Sequence, residues 1–312
     1  MNSDPENSRG DPGRPAPVAK PQLFDRVFLG PQGVRSGWRA ALYASLFFLL
    51  LIVVQLVAAL FHYPPAAAPG PLGPGQLFPS ELAYVACAVA AALAMGAIEG
   101  RPFGDYGMPV GNAFRGRFWQ GALWGMAQIT ALMLLLRVFG GYSFGARAIG
   151  GGVAAEYALL WAAAFVVVAV NEEFLFRGYL QFTLASGMGF WPAAILLSLA
   201  FGGVHWSNPG EGPAGVASVC VFGMFWCLTL RRTGDLWFAI GMHAAYDFGE
   251  TYVYSVPDSG TVMRGHLLNA SLHGPAWLTG GSAGPEGSAL AFVVLAIMFV
   301  LFDRIYFSRR IL

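Results

Sequence analysis

Long apolar runs separated by short polar or Pro/Gly-rich stretches set the pattern of this chain. The runs fall at about 38–61, 81–98, 117–138, 155–181, 189–207, 213–230, 235–254 and 287–307. Most approach the ~20 residues a helix needs to cross ~30 Å of hydrocarbon. The pattern predicts an all-α fold, a polytopic membrane bundle of about eight transmembrane helices. The sixth run is short, and the fifth and seventh carry polar residues. The first is longer than the ~7 to 15 apolar residues of a signal peptide and is expected to stay as a spanning helix. Residues 1–37, rich in Pro, Gly, Asp, Arg and Asn, read as a disordered cytoplasmic tail. Residues 38–312 then form the transmembrane domain, with a motif-bearing core at about 80–255. Residues 62–80 and 255–286 read as irregular extramembrane loops.

Composition supports this division. The chain is 56% hydrophobic and 11% charged, against ~25% charged residues in soluble domains. A formal net charge of +1 offers no basic field for nucleic acid, so the expected partners are membrane lipid and a peptide or protein at the membrane. Cys87, Cys220 and Cys227 lie in apolar segments and form no CxxC pair, which excludes a disulfide framework. Arginines cluster at 26, 35 and 39, at 101, 115 and 117, at 231 and 232, and at 304, 309 and 310. In an eight-span arrangement all four groups share one side. The positive-inside rule then puts both termini in the cytoplasm, in the plasma (inner) membrane for a bacterial chain.

Charge inside the apolar runs is the candidate chemistry. In NEEFLFR, Glu172, Glu173 and Arg177 interrupt the fourth run. Glu173 and Arg177 stand four apart on one helix face, the spacing of an internal ion pair. Glu172 points about a hundred degrees away, free for chemistry. The fifth run carries Phe201 and His205, again four apart, and the seventh carries His243 and Asp247 at the same spacing. A hairpin turning near residues 186–189 places Glu172 and His205 at similar depth, ~25 Å from the turn. Small residues Gly202, Gly203, Gly241, Ala244 and Ala245 would let the helices approach closely. Intramembrane ionisable groups are costly and are retained for function or for bracing.

This inventory pairs no Ser or Cys with a base, so hydrolysis would have to use water. Glu172 is the candidate general base. His205 could hold the water, and His243 with Asp247 could bind the oxyanion or donate to the leaving amine. Alternatively, Glu172, His205 and His243 supply the ligands of a zinc site with an open position. The same residues serve both schemes.

On NEEFLFR, Phe201 to His205 and His243 to Asp247, the chain resembles the CPBP family of intramembrane proteases, the CAAX prenyl endopeptidase and Abi group. The resemblance covers about residues 80–255. It implies a membrane-embedded endopeptidase in which Glu172 activates water with His205, no cofactor being required, and in which His243 and residue 247 lie near the oxyanion. Prenyl proteases usually carry Asn at that last position. Asp247, when ionised, cannot donate a hydrogen bond, which favours a histidine-orienting or metal-ligating role and a substrate that need not be prenylated. Two other functions use the same polar cluster: a non-catalytic membrane interaction or bacteriocin-immunity protein, with the cluster as a brace, and a proton-coupled transporter, which the lack of repeat symmetry disfavours.

Overall fold

The computed structural model describes residues 27–30, 33–61 and 71–307. Most of the expected tail, and the arginines at 26, 309 and 310, lie outside the described residues. The protein is a helical membrane bundle built from α1 (Ser36–Leu60), α2 (Pro74–Glu99), α3 (Gly116–Val138), α4 (Gly151–Arg177), α5 (Tyr179–Met188), α6 (Phe190–His205), α7 (Pro213–Thr233), α8 (Trp237–Phe248) and α9 (Ala289–Tyr306). A π-helical turn, Gly249–Val253, continues α8. Two-residue strands at Tyr142–Ser143 and Ser271–Leu272 pair antiparallel.

Among the described residues, six segments are long and apolar enough to cross a membrane, α4 and α5 together forming one of them. The number of spans is therefore not fixed at the expected eight. The remaining two runs are the polar ones. The 16 residues of α6 and 12 of α8 rise only about 24 and 18 Å at ~1.5 Å per residue. The second run begins earlier than its hydropathy indicates: Pro74 starts α2 at a position where the missing N–H costs nothing, so residues 74–80 are helix rather than loop.

Lipid-compatible side chains cover the outside. Phe48, Leu49, Ile52, Val53 and Leu56 of α1 are all exposed. Inside, one core joins α1, α2, α4 and α8 through Tyr43, Ala88, Ala91, Trp161, Phe165 and Trp237. A second joins α3, α6, α7, α8 and α9 through Ile129, Phe201, Phe225, Phe238 and Phe302. Between them α3 and α8 touch backbone to backbone. A Cβ at Gly121, Gly125 or Gly241 would lie 2.0 Å from a carbonyl oxygen of the facing helix. Gly202 likewise admits Cys220 of α7, whereas Gly203 faces open space.

One end of the bundle is tied by arginines. Arg39 at the start of α1 pairs with Glu99 at the end of α2 and donates to Ser186 near the end of α5. Arg117 at the start of α3 pairs with Asp235 just before α8, and Arg232 at the end of α7 with Asp303 near the end of α9. The loops at 206–212 and 255–288 meet at the other end, where Gly210 N–H donates to Gly260 O at 3.0 Å and Ser282 Oγ to Gly210 O at 2.7 Å.

Candidate active site

Local chain breaks position the polar motifs. α4 stops at Arg177 because Gly178 leaves helical geometry, with φ −84° and ψ −120°. A Cβ there would meet Phe174 O at 2.3 Å, so the bend just beyond NEEFLFR needs glycine. Gly189, at φ +86°, reverses the chain between α5 and α6. The turn lies where the spacing predicted it.

The two glutamates face different surroundings. Glu173 and Arg177 are both fully buried and 3.5 Å apart. The guanidinium sits over Phe201, 4.2 Å from its ring centroid, with Trp226 at 5.3 Å. This is a desolvated cation–π cage, and Phe201 is the wall of it. Glu172, with a side chain 23% exposed, instead lines a cavity of about 210 Å³. Its division of labour with Glu173 follows the helix period.

Glu173 does more than the ion pair. Its Oε1 also lies 3.0 Å from His243 Nδ1, so one carboxylate joins the Arg177 cage to the histidine of α8. The other ring nitrogen, Nε2, is 3.3 Å from Asp247 Oδ2 and 3.6 Å from Glu172 Oε2. Trp226 stacks on the same ring at 4.2 Å. The imidazole thus has a fixed plane and a carboxylate at each nitrogen. Asp247 occupies a histidine-orienting position.

His205 lines the same cavity from the end of α6. Its Nδ1 is 2.8 Å from Phe201 O. A carbonyl oxygen only accepts, so Nδ1 carries the hydrogen, and in the neutral ring Nε2 presents a lone pair. No hydrogen bond joins His205 directly to Glu172 among the described residues.

Sequence reasoning missed Glu81. It projects into the cavity from α2, accepting from Asn171 Nδ2 at 2.8 Å. Its place near the start of a helix masked by Pro and Gly gave no signal, although Asn171 heads the NEEFLFR motif. Asn208, Asp258, Ser259 and Glu286 from the loops complete the rim. Outside the apolar segments, burial and the Asp247 carboxylate push Asp258 well above the usual carboxylate range, and the same two causes raise Glu286 to about 7.

A zinc ion held by Glu172, His205 and His243 needs three ligand atoms around one point. Among the described residues these three do not converge: the one trio of His, Cys, Asp or Glu with ligand atoms mutually within 4.8 Å is Glu250, Asp258 and Glu286. His243 also has both nitrogens engaged by carboxylates. The arrangement does not fit the expected three-ligand zinc centre.

Residues 154–249 match the family model described as type II CAAX prenyl endopeptidase Rce1-like. No curated protein matches the chain. The matched segment contains Glu172, Glu173, Arg177, Phe201, His205, His243 and Asp247, so the residues gathered at the cavity all lie within it. An integral membrane bundle with a partly exposed glutamate, a lone-pair histidine and a carboxylate-clamped histidine is consistent with the peptidase activity of that family. Residues 154–249 are thus similar to the Rce1-like, type II CAAX prenyl endopeptidase family and lie within an integral membrane protein.

Proposed function

We propose that the protein is an endopeptidase that hydrolyses a peptide bond of a membrane-associated segment with water activated by Glu172. The observation carrying this reading is the contrast between the two glutamates: Glu172 opens into the cavity 3.6 Å from His243 Nε2, while Glu173 is sealed behind it. Glu172 takes a proton from water as the oxygen attacks the carbonyl carbon. His205 Nε2, with its lone pair turned outward, accepts a hydrogen bond from that water. The proton passes from Glu172 to the leaving amine as the C–N bond breaks. Glu173 and Asp247 hold His243 at Nδ1 and Nε2, and His243 in turn holds Glu172.

The side from which substrate enters follows from the two ends of the bundle. Arg39, Arg101, Arg117, Arg231 and Arg232 gather at one end, and the positive-inside rule assigns it to the cytoplasm with both termini. The cavity rim, formed by Leu72, Asn208, Ser259, Thr261 and Glu286, belongs to the opposite end. Substrate therefore enters from the non-cytoplasmic side, where a cytoplasmic prenylated tail is not presented, in keeping with Asp247 at a position where prenyl proteases usually have Asn. A membrane-impermeant maleimide should label Ala276→Cys in intact cells and Asp105→Cys only after lysis. The reverse pattern would overturn the orientation. Cleavage lost in Glu172→Gln with the fold retained supports the catalytic reading, and cleavage retained removes it.

A further inference from the structure

Three carboxylates meet at the wall of the active-site cavity. Glu250 comes from the π-helical turn after α8, Asp258 from the following loop and Glu286 from the turn that leads into α9. They are 0%, 8% and 5% exposed. Each offers an oxygen within 4.8 Å of the others. Among the described residues no Arg, Lys or His forms an ion pair with any of them.

Protein donors satisfy part of the cluster and leave the rest open. Thr251 Oγ1 donates to Asp258 Oδ2 at 2.9 Å, and Ser259 Oγ donates to Glu286 Oε2 at 2.9 Å. Glu250 receives no hydrogen bond from a hydroxyl, amide or basic group among the described residues; both of its oxygens are buried, and its hydrogen-bonding neighbour is the Glu286 carboxyl. An unpaired buried carboxylate carries a large desolvation penalty, and two similar groups beside it add repulsion. A cation, or a proton shared with Glu286, would complete this site.

We propose that Glu250, Asp258 and Glu286 form an oxygen-only site for one divalent cation, Ca²⁺ by preference, in the wall of the active-site cavity. Hard oxygen donors without His or Cys select Ca²⁺, Mg²⁺ or Mn²⁺ over zinc. Among these, Mg²⁺ keeps several of its waters, whereas Ca²⁺ takes 6–8 oxygens at about 2.3–2.6 Å and accepts bidentate carboxylates. Three carboxylates from irregular segments, able to bind through one oxygen or two, suit the flexible coordination of Ca²⁺ better than the strict octahedron of Mg²⁺. A π-helical turn, the loop after it and the turn before α9 supply the ligands. A bound ion would clamp the 255–263 loop and the start of α9 against α8, fixing the rim that carries Ser259 and Thr261. The competing occupant is a proton shared between Glu250 and Glu286, which face each other directly.

The test uses the full-length protein purified in detergent and stripped with a chelator. Calcium content by elemental analysis and the melting temperature are then read with Ca²⁺, Mg²⁺ or chelator added. One Ca²⁺ per chain is expected, with a melting temperature about 5 °C or more higher at saturating Ca²⁺. Glu250→Gln and Asp258→Asn should each lose both the bound calcium and the shift while remaining folded. If a variant fails to fold, calcium content and the wild-type shift still decide. No stoichiometric Ca²⁺ and no shift with any divalent cation in the wild type would overturn the site, as would a shift that both variants retain. Neither readout depends on proteolysis, so the result stands apart from the role of Glu172.

Discussion

Glu173 Oε1 lies 3.0 Å from His243 Nδ1 and 3.5 Å from Arg177 Nη1. One fully buried carboxylate thus serves a structural cation on its own helix and a site histidine on another. Removing it leaves the guanidinium of Arg177 in an aromatic cage without a counter-ion. Glu173→Ala should lower stability by about 3–5 kcal/mol, measured by thermal melting in detergent. A loss below 1 kcal/mol would show that Arg177 is neutralised elsewhere.

Arg177 fits because position 223 carries no side chain. A Cβ on Gly223 would come within 2.4 Å of Arg177 Nη2 and 2.9 Å of Ser198 Oγ. Gly223→Ala should therefore displace the guanidinium and destabilise the protein by roughly 1–3 kcal/mol. A Glu173→Gln, Arg177→Met background should relieve part of that loss. An additive double-mutant result would separate Gly223 from the cage.

Glu286 makes a contribution to stability that depends on pH. Burial first, and the Asp247 carboxylate second, raise it from 4.5 to about 7. The folded protein binds this proton more tightly than the unfolded chain. The stabilisation is complete below about pH 4.5 and is lost as pH rises toward about 7, an effect on the order of 3 kcal/mol. With chelator present, melting temperatures across this window should fall more steeply for the wild type than for Glu286→Gln. Parallel curves would contradict the assignment.

The separation of His205 from a compact ligand set bears on metal dependence. Zinc measured on purified protein should be well below one equivalent, and a zinc-selective chelator should leave proteolysis intact. Stoichiometric zinc released by His205→Ala would reinstate the three-ligand centre.

Much of the bundle could be read from its apolar runs, and the site from residues four apart: Glu173 with Arg177, Phe201 with His205, and His243 with Asp247. Helical periodicity determines those pairs, and periodicity is visible in a sequence. Contacts between helices were less legible. Nothing local shows that Glu173 reaches His243, 70 residues away, or that Glu81 accepts from Asn171, 90 residues away. Glu250, Asp258 and Glu286 sit in segments whose composition resembles ordinary loop, and long-range contacts such as Gly260 N–H to Ala283 O and Ser259 Oγ to Glu286 Oε2 bring them together. The shortness of α8 was also hidden, because the seventh run, at about 235–254, extends past Gly249, where regular α-helix gives way to a π-helical turn.

The central claim is that Glu172 activates the attacking water. Wild-type protein and Glu172→Gln, reconstituted in proteoliposomes with a library of membrane-anchored peptides, should differ in one respect. Mass spectrometry should find cleavage fragments with the wild type and at least 100-fold fewer with the variant, at equal melting temperature. Undiminished cleavage by the purified, folded Glu172→Gln protein would contradict the account.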